Sequence, residues 1–264
     1  QAERPPQFVL ISFDGSKSAN FWKETFSLAD KANAQFSYFI SGVYFLKNKD
    51  RLNYHPPKRK AGSSDIGFAV DDNNDIKKRT EFIWQALNDK RPAMEIGSHV
   101  NGHFDGSFWT FDEWKQEFLE FHRLVSQVFS FYPAINTPFK SQWENTINSS
   151  VKGFRAPLLA GQNAITAEVL KEFRYSYDAG QVLKNKWPYK HTPDLWNVGL
   201  TRIALAGTKR ETVAMDYNVL YGQCNGEFNP TNSGECKTIN DELLKYFEKQ
   251  TYVSYVQAFL KNYY

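Results

Sequence analysis

Three short segments of this 264-residue chain carry side chains that can do hydrolytic chemistry. Ser12-Phe13-Asp14 closes an apolar run on a carboxylate, which can take a proton from water or face a cation. The same residue type also serves as a plain turn former or helix N-cap. Ser98-His99-Val100-Asn101-Gly102-His103 carries two imidazoles four residues apart, a spacing that lets both reach one metal ion from a helical turn or a tight loop. The plainer alternative is two surface or capped histidines. The pair is not a zincin helix, because Val100 stands where that motif needs Glu. Phe154-Arg155-Ala156-Pro157 sets a guanidinium just before a strand-terminating proline, where it can orient a carboxylate or be an ordinary surface arginine.

Each segment follows a pattern that reads as a strand end. Residues 8–13 are apolar except for Ser12 and read as a buried strand closing on Asp14-Gly15-Ser16. Residues 36–43, 94–98, 153–156, 175–177, 195–200 and 212–215 are further strand candidates. Between them, residues 20–31, 75–90, 164–173, 238–249 and 252–263 show helical spacing. Thr110-Phe111-Asp112-Glu113 fits a capping box, opening a helix with Phe111, Trp114, Phe118, Phe121, Val125 and Val128 on one stripe. Strands alternating with helices predict an α/β fold, a distorted parallel β/α barrel of about seven strands in a single domain over residues 1–264. An open doubly wound sheet is the alternative, but no Gly-rich dinucleotide fingerprint follows the first strand. In a barrel the strand ends meet around one bowl, so Asp14, His99, His103 and Arg155 would converge. The long polar stretch 47–72 follows the second strand and is expected to wall the substrate cleft. The stretch 131–150 is expected nearer the opposite face.

Together the segments resemble the polysaccharide deacetylases with a NodB homology domain, of the carbohydrate esterase type. That family has Thr/Ser-Phe-Asp-Asp at the end of strand one; this chain has Ser12-Phe13-Asp14-Gly15. Its second motif pairs two histidines after Glu-Ile-Gly/Ala; here Glu95-Ile96-Gly97-Ser98-His99 precedes His103. Its third, Arg-x-Pro-Phe/Tyr, is matched by Arg155-Ala156-Pro157-Leu158. Gly153-Phe154-Arg155-Ala156-Pro157 and Leu195-Trp196-Asn197-Val198 look nearest the chitin deacetylase-like branch. The resemblance covers roughly residues 7–263. It implies hydrolysis of the N-acetyl group of N-acetylglucosamine units in chitin or peptidoglycan, with release of acetate. Asp14 matches the general base with a partial ligand role. His99 and His103 match ligands of a divalent metal, with Zn²⁺ the first choice. Arg155 matches the residue that orients the base. Trp196, Pro157 and Leu158 match substrate-binding positions, with a backbone N–H near Leu158 facing the oxyanion. Tyr177-Asp178 resembles the strand end before the Trp196 segment.

Two departures stand out. The family's third metal ligand falls at Gly15, leaving Asp14, water or Asp216 to fill the gap. The family's late strand with a general-acid histidine has no match: His122 lies in the capped helix, and His191 follows Trp187-Pro188 in what reads as a loop. The chain ends at Tyr264 in a helical pattern where the family continues into its last strand, which implies C-terminal truncation. Both departures open a second possibility, a glycan-binding protein of the same fold with weakened catalysis.

Composition bounds the rest. The 22 Phe, 14 Tyr and 7 Trp are more rings than a core usually needs; the surplus is expected either to line a glycan cleft or to give a Phe-rich core. Net charge is +3 with acids and bases interspersed, and Lys58-Arg59-Lys60 is too short a cluster for nucleic-acid binding. No apolar run reaches the ~18 residues that span a bilayer. The start at Gln1, with no hydrophobic leader, reads as a mature or trimmed chain. Cys224 and Cys236 flank a turn-rich loop and are read as a disulfide rather than two unrelated thiols, which would place the chain in a secreted or periplasmic setting. A monomer is expected.

Overall fold

A computed structural model describes residues 8–88, 94–183, 187–206, 209–223, 249 and 252–257. Its elements are β1 (Ser12–Gly15), α1 (Ala19–Ala32), β2 (Ser37–Ile40), α2 (Asn73–Asn88), β3 (Glu95–Ser98), α3 (Phe111–Ser126), α4 (Val128–Phe131), α5 (Trp143–Ser150), β4 (Gly153–Phe154), α6 (Asn163–Glu172), β5 (Tyr177–Asp178), β6 (Tyr189–Thr192), β7 (Leu195–Asn197), β8 (Arg202–Ala204), β9 (Glu211–Val213) and α7 (Asp216–Gln223). Two compact units result. One comprises Val9–Gln181 and Tyr189–Val198; the other takes in the described residues of Gln1–Phe8, Val182–Pro188 and Gly199–Tyr264.

The first unit carries a seven-stranded sheet in the order β1-β2-β3-β4-β5-β7-β6. β1 through β5 and β7 run parallel, and β6 pairs antiparallel with β7. This is the expected α/β architecture of a mostly parallel sheet with flanking helices. The sequential order is that of a β/α barrel; a doubly wound sheet reverses direction at a switch point. Strand alternation then gives each side of the sheet a different job. Tyr38, Ile40, Ile96 and Phe154 join the core. Trp22 of α1 stacks on Tyr38 at 4.3 Å, and Phe118 of α3 lies 5.0 Å from Phe154. Full burial of a Phe such as Phe118 stabilises by about 2–3 kcal/mol. Asp14, Phe39 and Gly97 share one register row on the opposite side, which Tyr177 and Trp196 continue across β5 and β7.

The helices follow their sequence signals. Ser18 caps α1, whose Trp22, Phe26 and Ala29 are buried, and the helix stops at Asn33 in the left-handed region at φ 47°. Both arms of the Thr110–Glu113 capping box form on α3. Its apolar stripe runs on to the buried Val128, although the helix itself breaks at Gln127.

Three strand expectations change. Residues 8–11 are not a buried strand: Phe8, Val9, Leu10 and Ile11 are exposed, and β1 begins at Ser12. β1 ends the ladder, so the start of this run lacks a partner on one side. Residues 189–192 form β6, an exposed edge strand whose polar Tyr-Lys-His-Thr pattern carries no strand signal. Residues 211–213 leave the parallel series for an antiparallel hairpin with β8 in the second unit. Ile203 of β8 and Val213 of β9 are the buried residues of the hairpin, and Arg202 and Glu211 are exposed. Ile203, Leu205 and Val219 form the small core of that unit.

Cys224 and Cys236 lie outside the described residues, as does the 238–249 helix except Lys249; residues 252–257 are helical. Among the described residues no helix is long and apolar enough to cross a membrane.

Candidate functional site

Register brings the strand ends together. Gly15, Ile40, Ser98, Phe154 and Asp178 align across β1 to β5. One residue further, the ladder ties His99 N to Ile40 O at 2.9 Å and Arg155 N to Ser98 O at 2.9 Å. His99 and Arg155 therefore leave adjacent strands side by side. Arg155 Nη1 donates to Asp14 Oδ1 at 2.9 Å, joining residues 141 apart in sequence. Arg155 Nε donates to Ala179 O at 3.2 Å, and the guanidinium lies 4.4 Å from the centre of the Phe39 ring. Gly97 makes room for that ring, since a Cβ there would come within 2.6 Å of it.

His99 is 2 % exposed, and its Nδ1 sits 2.8 Å from the carbonyl oxygen of Arg155. A carbonyl only accepts, so Nδ1 carries the hydrogen and Nε2 of the neutral ring presents a lone pair. Burial pushes the His99 pKa down, against the pull of the Asp14 carboxylate. Burial does the same at His103, opposed by Asp14 and Asp65. The two rings lie 5.2 Å apart, centre to centre. His103 and Val100 both adopt positive φ, 62° and 44°. For a β-branched residue such as Val100 this is a strained state that its surroundings must impose. Gly42 N donates to Val100 O at 2.7 Å and Ser98 Oγ accepts from Val100 N at 3.1 Å, which fixes the turn.

Buried polar atoms without a protein partner include Ser16 Oγ, Ser41 Oγ, His99 Nε2 and Asn101 Oδ1, on residues just past β1, β2 and β3. Each such atom costs about 1–3 kcal/mol when left unsatisfied. A cavity of about 520 Å³ lies elsewhere, between Ser126–Ser130 and Asn136–Glu144, and none of the four site residues lines it.

The free lone pair of His99, oriented by its Nδ1–H bond, fits a divalent metal. Among the described residues no group of three or more His, Cys, Asp and Glu side chains stands in a metal-holding arrangement. The protein would thus offer His99 and His103, with Asp14 and Asp65 as the neighbouring carboxylates. Asp65 escapes sequence reasoning because it sits in the polar 47–72 stretch, where no spacing marks it. Its N–H donates to Gly102 O at 2.9 Å, so that stretch does lie against the histidine loop. Gly15 has φ 77°, a conformation that disfavours any side chain, and a Cβ there would meet the Tyr44 ring at 3.5 Å. Asp216 opens α7 in the other unit and accepts from Tyr217 N.

The remaining positions separate. Pro157 is buried; Leu158 is exposed with φ 55°. Trp196 is half-exposed on β7, its ring 5.5 Å from Lys190 Nζ. Asp178, at the end of β5, is buried and its carboxyl pKa is pushed up by burial, against Gly180 N–H, Gln181, His191 and Arg155. His191 sits on β6, a late strand, and not in a loop. His122 stacks on Phe173 at 5.6 Å, on the helical side as expected.

Behind the histidine loop, Glu117 of α3 is fully buried, and burial pushes its carboxyl from 4.5 up to about 7, against four hydrogen bonds that pull it down. Between pH about 4.5 and 7 the folded chain holds a proton that the unfolded chain has lost. Stability from this group therefore falls as pH rises through that window, by about 3 kcal/mol in all. Urea unfolding across this range is expected to show the slope, and Glu117→Gln to flatten it.

No protein-family model matches the sequence, and no curated protein matches it. Among solved structures, the carbohydrate esterase domain of a multidomain xylanase from the hindgut metagenome of Trinervitermes trinervoides aligns at 12% identity and TM-score 0.34, over 67% of this chain and 60% of that one. A structure titled T48 deacetylase with substrate aligns at 12% identity and TM-score 0.33, over 67% and 58%. This chain thus spans less than two thirds of either. Similarity at this level bears on neither its family nor its activity.

Proposed function

We propose that the chain is a metal-dependent N-deacetylase acting on N-acetylglucosamine units of a polysaccharide, chitin or peptidoglycan. The observation that carries this is the meeting of the Asp14–Arg155 ion pair with His99, whose buried Nε2 lone pair is unpartnered. The resemblance to NodB-type deacetylases, nearest the chitin branch, supplies the substrate class.

A bound divalent ion, zinc first, would polarise the acetamide carbonyl and acidify a water beside it. Asp14, held by Arg155, accepts the proton of the water that adds to the carbonyl carbon. A backbone N–H near Leu158 faces the developing oxyanion. The leaving amine needs a proton, since an amide anion is too basic to depart. The proton that Asp14 takes from the water balances this transfer. Trp196 and Pro157 are assigned to the sugar. A single catalytic domain, a monomeric state and export from the cytoplasm complete the proposal.

The test is acetate release from N-acetylglucosamine oligomers by the full chain with added zinc. Zinc-dependent release is the expected result. Tight oligomer binding with no release would favour the alternative, a glycan-binding protein, for which the lack of a third close ligand among the described residues already speaks.

A further inference from the structure

The histidine loop is held from behind by groups that the proposed chemistry does not use. Tyr54 ends the 3-10 turn Asn48–Asn53 and is fully buried. Its phenol oxygen accepts from Gly102 N at 3.1 Å and donates to Glu117 at 2.8 Å to Oε1 and 3.0 Å to Oε2. Glu117 Oε1 also accepts from Asn101 N at 3.1 Å, and the Asn101 side-chain amide donates back to Glu117 O at 2.8 Å. Two consecutive backbone N–H groups, those of Asn101 and Gly102, are thus tied to helix α3 through one carboxylate and one phenol. They lie midway between His99 and His103.

The loop cannot hold its shape by backbone preference, because Val100 and His103 both sit at positive φ. An outside anchor must keep them there. On the other side Gly42 presses against the same residue: a Cβ at Gly42 would fall 2.1 Å from Asn101 Oδ1. α3 is itself tied to the 47–72 stretch, since Glu120 accepts from His55 N and Gln116 donates to His55 O. Tyr54 and Glu117 therefore couple the rigid helix, the long polar stretch and the histidine loop at one buried point.

We infer that Tyr54 and Glu117 are positioning residues: through the Asn101 and Gly102 amides they set the distance and aim of the His99 and His103 imidazoles toward a shared metal ion. This rests on the proposed metal role of the two histidines. Neither residue touches substrate or ion. Their effect belongs in metal affinity, where oriented outer groups are worth about 10- to 100-fold.

The experiment measures zinc binding by calorimetry, and thermal midpoints, for the wild-type full chain, Tyr54→Phe and Glu117→Gln. Tyr54→Phe leaves the Gly102 N–H without its acceptor and is expected to weaken zinc binding by about tenfold or more. Glu117→Gln can place its carbonyl at the Oε1 position, accept from both Asn101 N–H and Tyr54 O–H, and stay within about threefold of wild type by the same measure. Wild-type zinc affinity in a folded Tyr54→Phe protein would overturn the inference and leave the metal reading intact. Equal losses in both variants that track their thermal midpoints would also overturn it, by showing general destabilisation. A wild-type chain that takes up no zinc would overturn this inference and the metal-dependent function together. If Tyr54→Phe does not fold, Glu117→Ala measured beside Glu117→Gln decides: a loss of about tenfold or more in a folded Glu117→Ala protein with Glu117→Gln near wild type supports the anchor, and wild-type affinity in a folded Glu117→Ala protein contradicts it.

Discussion

Asp14→Asn is expected to lower acetate release from N-acetylglucosamine oligomers by about 10³-fold while the protein stays folded. Asn keeps the volume of Asp and an oxygen where Oδ1 stands, so Arg155 Nη1, 2.9 Å away, retains an acceptor. The guanidinium is also held by Ala179 O and lies over Phe39, so it does not depend on the carboxylate for its position. What the substitution removes is a basic oxygen, because an amide oxygen does not take a proton near neutrality. Steady-state acetate release and a thermal melt on the same sample separate the two effects. Retained turnover would show that Asp14 is not the base. Lost turnover with a collapsed melt would place its role in folding.

The second large effect falls on metal uptake. His99→Ala removes the one imidazole whose tautomer is fixed and whose Nε2 lone pair is buried and free. Zinc affinity is expected to fall by more than about 100-fold, beyond what outer-shell groups contribute. The change also leaves a cavity and strands the Arg155 carbonyl, so a loss of roughly 2–4 kcal/mol of stability is expected beside it. His103→Asn gives the cleaner comparison. His103 sits at φ 62°, and Asn tolerates that region better than most residues. Both variants should lose zinc by calorimetry; only His99→Ala should melt markedly earlier. Unchanged zinc affinity in both would remove the histidines from the ligand set.

The convergence of Asp14, His99, His103 and Arg155 is legible in the sequence because each follows a strand pattern, and parallel strands in sequential order align their carboxyl ends. The capping box at Thr110 and the stripe of α3 are legible for the same reason, as local period and local chemistry. Features made by contact between distant residues are not. Asp65 lies in a polar stretch without periodicity, and only the Asp65–Gly102 backbone bond brings it to His103. Tyr54 and Glu117 are 63 residues apart. Glu117 lies on the packed face of α3 one residue before the buried Phe118, where a carboxylate carries no sequence signal of its pairing. His191 reads as loop because an exposed edge strand next to Pro188 shows no apolar run. Residues 8–11 mislead in the opposite sense: their apolar character promises burial, but the end of a sheet offers neighbours on one side only.

The most direct test of the central claim is X-ray absorption at the zinc edge of the zinc-loaded full chain. The geometry at the strand ends predicts scattering from two imidazoles at about 2.0–2.1 Å with oxygen completing the shell, and loss of one imidazole in His99→Ala. A zinc shell of oxygen alone, or an imidazole count unchanged by that substitution, would contradict it.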